Sequence, residues 1–109
     1  MRKILLFSLV LLGFLFQYCS STKKISAAPK VSYASVQPVI MNSCSPCHTG
    51  GKQKSLNNYI TAKDEIDEII TRIQKQPTEK GFMPMKHPKL ADSTIQLFVR
   101  WKNDGLSEK

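Results

Sequence analysis

The residues best suited to chemistry stand together at Cys44-Ser45-Pro46-Cys47-His48. Two thiols separated by two residues and followed at once by an imidazole form the Cys-x-x-Cys-His pattern of c-type haem attachment. The spacing has a chemical reason. Thiols three positions apart at the end of a helical turn can each reach one vinyl group of the same porphyrin, and the adjacent imidazole is then held beneath the iron as an axial ligand. Such an iron wants a second ligand from further along the chain. Gly81-Phe82-Met83-Pro84-Met85 offers a thioether, with Met83 the leading candidate and Met85 and His87 competing within reach. Pro84 has a fixed φ and no N–H, so it stiffens the chain just beyond Met83. A pre-set loop lowers the ordering cost of a weak iron–sulfur bond.

Blander readings compete. A Cys-x-x-Cys pair in a thioredoxin-like protein would be a redox dithiol within a strand–helix–strand pattern, and no such pattern surrounds this one. A zinc site needs four ligands. Cys44, Cys47, His48 and the distant His87 could supply them, although such ligands usually come as two spaced pairs. A lone methionine is most often core filler, but two flanking one proline in a loop are less easily dismissed.

At 109 residues the chain holds one domain at most. Arg2 and Lys3 precede an almost unbroken apolar run from Ile4 to Phe16, which reads as a secretory signal over residues 1–18. The run is too short to cross a bilayer, which takes about 20 apolar residues. Beyond it lies a domain of roughly eighty residues, near the lower limit for a self-sufficient core. A buried macrocycle would supply apolar surface that the side chains lack.

The cysteine count is odd, at three. If Cys44 and Cys47 are committed to haem, Cys19 stands alone just after the apolar run, before Ser20 and Ser21. That is where a bacterial lipoprotein carries its lipidated cysteine, and membrane attachment through Cys19 is the expectation. Ordinary cleavage near Ala27-Ala28 is the alternative. Residues 19–32, rich in Ser, Thr, Lys and Ala without periodicity, read as a flexible tether, and residues 33–109 as the domain.

Losing residues 1–18 removes Arg2 and Lys3 and no acid, so the net charge falls from +8 to +6. A basic surface favours acidic redox partners or anionic lipid head groups. Nucleic acid is not expected, for the chain has no recognition motif and no basic helix interleaved with aromatics.

The positioning elements are helical. Val36, Val39 and Ile40 predict a first helix over 35–43 that leads into Cys44, with Pro38 in its first turn. Residues 49–55 read as a loop and 56–59 as a short helical turn, with Tyr59 packed half-buried or bonded to a haem propionate. Ile66, Ile69, Ile70 and Ile73 stripe one face of a helix over 61–75. Thr61 and Asp64 are its capping pair, acids lead it, basic residues close it, and Pro77 stops it. Asp64, Glu65, Asp67 and Glu68 are placed on its solvated face, not in acid–base catalysis. Residues 78–90 form the ligand loop. A last helix over 92–103 carries Ile95, Leu97, Phe98, Val99 and Trp101, with Asp92 as cap and Gly105 beyond its end. Trp101 is expected to pack on the first helix and the haem edge.

This order of helix, Cys-x-x-Cys-His, isoleucine-striped helix, Gly-x-Met-Pro loop and Trp-bearing final helix resembles the small monohaem class I c-type cytochromes, particularly bacterial ones. The resemblance covers about residues 35–106. It implies an all-α class I cytochrome c fold, three or four helices around one covalently bound haem c. It implies thioether bonds from Cys44 and Cys47, axial ligation of the iron by His48 and Met83, and first and last helices packed across each other. Met85 stands where the family commonly has a second proline, and Leu90-Ala91-Asp92 where it often has Leu-Ser-Asp. The function expected is electron transfer, not enzymatic catalysis, between unidentified redox partner proteins on the periplasmic side of a bacterial membrane. No small-molecule substrate is expected. Two other readings stay open: a gas- or peroxide-reactive haem protein with a labile sixth ligand, and a haem-stapled assembly module of an outer-membrane complex.

Overall fold

The computed structural model describes residues 28–109. The expected signal segment, Cys19 and most of the expected tether lie outside the described residues. Within them the secondary structure is entirely helical, as expected: α1 Tyr33–Ser43, α2 Tyr59–Asp64, α3 Ile66–Gln74 and α4 Asp92–Asn103. No helix among the described residues is long and apolar enough to cross a membrane.

Helix α1 starts two residues earlier than its apolar spacing predicts, because its first turn is held from far along the chain. Tyr33 N–H donates to Ser107 O at 2.8 Å, and Val31 N–H donates to the Asp104 carboxylate at 2.7 Å. Val31, at the end of the stretch read as a tether, is therefore part of the core. The earlier start also moves Pro38 from the first turn into the helix interior. Pro38 cannot donate to the carbonyl of Ala34 four residues back. Both residues are exposed, so solvent can meet that carbonyl.

The helix expected over 61–75 is two. Glu65 leaves helical geometry at φ −97°, ψ 7° and separates α2 from α3, although no Gly or Pro lies at the break. The cap is also different from the Thr61–Asp64 pair. Asn58 is the N-cap, and its side-chain oxygen accepts from Thr61 N–H at 3.0 Å. Helix α3 ends at Gln74, with Lys75 already extended ahead of Pro77.

Helix α4 has the predicted bounds. Its N-cap position is Ala91 and no side chain caps it, so Asp92 is the first helical residue and not the cap. At the other end, Leu106 N–H reaches Trp101 O and Gly105 N–H reaches Lys102 O, at 3.0 and 3.2 Å. This paired closure is the Schellman arrangement, which needs a left-handed residue just past the helix. Gly105 supplies it at φ +99°.

The core lies where α4 packs on both α1 and α3. Val36, Ile40, Phe98 and Trp101 are completely buried, and Ile66, Ile69 and Ile73 nearly so. Fully burying such a side chain contributes about 1.5–3 kcal/mol. Trp101 does pack on α1, through Tyr33 at a 5.7 Å ring separation. Tyr59 joins them edge-on to Tyr33 at 5.6 Å, and its hydroxyl donates to Leu106 O at 2.9 Å. Tyr59 is thus a half-buried packing residue.

Candidate functional site

The Cys-x-x-Cys-His stretch is the winding-down of α1. Cys44 and Ser45 N–H both donate to Ile40 O, at 2.9 and 2.8 Å, and Cys47 and His48 N–H both donate to Cys44 O, at 3.1 and 3.0 Å. One further turn of backbone therefore carries all three side chains to the same wall. The loop after it folds straight back, with Leu56 N–H on His48 O at 3.1 Å.

Cys44, Cys47 and His48 line a cavity of about 520 Å³. Ligand and cofactor pockets commonly measure about 300–1,000 Å³ and are mostly apolar with a few placed polar groups. Here Leu56, Ile69, Ile73 and Leu90 supply apolar wall. The isoleucine stripe of α3 thus serves both core and cavity. From the loop over 78–90, Met83, Met85 and His87 all line the same space. Met83 is half-buried, whereas Met85 is 57% exposed. Burial favours Met83 over Met85, because an exposed thioether must give up more hydration and mobility to be fixed.

The tautomer of a neutral His48 ring follows from its neighbour. Its Nδ1 lies 3.2 Å from Lys54 O. A carbonyl can only accept, so Nδ1 carries the hydrogen and the lone pair is left on Nε2. This is the tautomer a metal-ligating histidine requires, oriented by a backbone carbonyl.

The thiols are both free, Cys44 half-buried and Cys47 exposed. Burial pushes the Cys44 thiol above its ordinary value. Nucleophilic redox dithiols depend on the opposite shift, and no strand lies among the described residues. The thioredoxin-like reading loses its support on both counts. Zinc does too, since no group of three or more Cys, His, Asp or Glu side chains converges among the described residues.

Two features depart from the sequence reading. Glu68 is exposed, as expected with Asp64 and Asp67, and Glu65 partly so, yet both also border the cavity, together with their partners Lys54 and Arg72. The signal is present in the chain: Glu65, Glu68 and Arg72 fall at i, i+3 and i+7, on the flank of the Ile69–Ile73 stripe. Trp101, expected on the first helix and the haem edge, packs on α1 and does not line the cavity. Its indole N–H donates instead to Ser107 O at 2.9 Å, on the side of Tyr33 and Tyr59.

Two thiols, a histidine oriented for ligation, a half-buried thioether and a mostly apolar cavity of cofactor size, bordered by two ion pairs, fit an iron porphyrin. No protein-family model, curated protein or solved structure matches the chain.

Proposed function

We propose that this chain is an electron-transfer domain of class I cytochrome c type. One haem c would be fixed through Cys44 and Cys47, with His48 and Met83 on the two sides of its iron. The observation that carries the reading is convergence: Cys44, Cys47 and His48, and Met83 far along the chain from them, line one cavity. When bound, the group supplies a one-electron couple between ferrous and ferric iron, and ligation by His and Met favours a high potential. The protein's own residues do the rest. Lys54 O orients the imidazole. Leu56, Ile69, Ile73 and Leu90 give the cavity its apolar lining. With the iron held by both His48 and Met83, no place would remain for a substrate, and the domain would relay charge between partner proteins. An exported lipoprotein anchored through Cys19, on the periplasmic side of a membrane, is the setting proposed for it.

Export together with the haem-attachment machinery, followed by a denaturing gel stained for haem, tests the reading. Stain that stays with the polypeptide supports it, and a colourless chain with both thiols open to alkylation overturns it. The exposure of Met85 and His87 beside Met83 keeps one second reading, a gas- or peroxide-reactive site with a labile sixth ligand. Rapid binding of carbon monoxide by the ferrous protein would favour it over the relay.

A further inference from the structure

Arg72 touches the ligand loop from both its side chain and its main chain. Its Nη1 donates to Gly81 O at 3.3 Å, and its own carbonyl accepts from Met83 N–H, also at 3.3 Å. Between these two grips lies Phe82, which is 7% exposed. Three consecutive residues, the last of them the candidate ligand, are therefore fixed against one residue of α3. Each contact is at the long end of the hydrogen-bond range, so neither alone would hold the loop.

The guanidinium is aimed before it reaches the loop. Its Nε donates to the Glu68 carboxylate one helical turn earlier, at 2.6 Å. A planar guanidinium held at Nε has its remaining N–H groups pointing in set directions, which an ammonium would not. Gly81 is matched to this approach. It sits at φ +84°, and a Cβ there would come within 2.9 Å of Arg72 Nη1 and 3.3 Å of Lys75 Nζ. Lys75 adds a neighbouring clasp by donating to Lys80 O at 2.8 Å.

We infer that Arg72, aimed by Glu68, is the positioning residue that sets the Met83 loop and so decides which side chain reaches the sixth coordination site. This role rests on the haem reading of the cavity. Its energetic signature separates it from a plain structural role. The Glu68 and Arg72 side chains are 54% and 39% exposed, and surface ion pairs contribute little to folding. Losing the grip should therefore disturb ligation far more than stability.

The experiment compares the exported holo-protein with Arg72→Met, Arg72→Lys and Glu68→Gln. Each is scored for haem retained on a denaturing gel, for the long-wavelength absorption of thioether-bound ferric iron, and for the rate of carbon monoxide binding to the ferrous form. Arg72→Met should retain its haem, lose most of the thioether absorption and bind carbon monoxide roughly tenfold faster, the factor expected for a lost hydrogen bond to a charged group. Arg72→Lys keeps the charge and should resemble Arg72→Met, while Glu68→Gln should fall between it and the parent. An Arg72→Met protein with parental absorption and binding rate overturns the assignment and leaves the haem reading intact. So does an Arg72→Lys protein indistinguishable from the parent, because charge alone would then suffice. If Arg72→Met is not recovered, Arg72→Lys and Glu68→Gln decide the matter in the same way. A parent chain without covalent haem overturns the underlying reading, and this one with it.

Discussion

His48 Nδ1 and the main-chain carbonyl of Lys54 stand 3.2 Å apart across the loop that follows the paired thiols. The contact fixes a tautomer as well as a position, and it uses a backbone atom that side-chain mutation cannot remove. Replacing His48 itself is the informative change. His48→Ala in the exported protein should abolish the visible spectrum of six-coordinate, low-spin iron. An unaltered spectrum would move the proximal ligand to another residue.

The two thiols differ in their surroundings, and this can be read before haem is attached. Burial raises the Cys44 thiol, whereas Cys47 is exposed. With the chain expressed without attachment machinery, mass spectrometry should find Cys47 alkylated several-fold faster at neutral pH. Cys44 reactivity should still be climbing at pH values where an ordinary thiol has levelled off. The sign for stability follows: the fold favours protonated Cys44, so this contribution is complete below the ordinary thiol value and lost as pH rises through the raised one. Equal alkylation rates would contradict the burial of Cys44.

Among the three candidates for the sixth position, only Met83 combines partial burial with a backbone bond to α3. Met83→Ala should lower the reduction potential or open the iron to carbon monoxide, and should remove the thioether absorption. Met85→Ala and His87→Ala should leave both properties in place. A Met83→Ala protein with unchanged potential and absorption would assign ligation to one of its neighbours.

The aromatic cluster predicts opposite outcomes for two neighbouring substitutions. Trp101 is fully buried and its indole N–H is satisfied by Ser107 O. Trp101→Ala should cost about 3–5 kcal/mol, a large share of the stability of a small domain. The hydroxyl of Tyr33 is buried without a partner, so Tyr33→Phe should be neutral or mildly stabilising. Thermal unfolding of the two variants checks both signs, and a marked loss in Tyr33→Phe would mean that the hydroxyl has a partner after all.

Local signals are legible in the chain and distant ones are not. The Cys44–His48 spacing, the Ile66–Ile73 stripe and the bounds of α4 can be read because each depends on neighbours within a turn or two. The true start of α1 cannot, since Tyr33 and Val31 are held by Ser107 and Asp104. Nor can the break at Glu65, whose side chain pairs with Lys54 across a loop. Sequence assigns Trp101 to the right helix, the right core and its neighbour in α1, but not to its bond with Ser107 O. Its burial is written in composition, while its partners depend on how the C-terminal segment returns over α1. Spacing names the candidate ligands, but that Cys44, Cys47, His48 and Met83 share one cavity needs the folded chain.

The way the first described residues are fastened has a mechanical consequence. Arg100 holds Pro29 O at 3.0 Å, Asp104 holds Val31 N–H at 2.7 Å, and Ser107 holds Tyr33 N–H at 2.8 Å. A pull arriving from upstream along the chain is borne by this seam between the beginning of α1 and the end of α4. None of these six residues belongs to the cavity wall. The load path bypasses the thiols and the Met83 loop, so tugging on the leading end should not shift them.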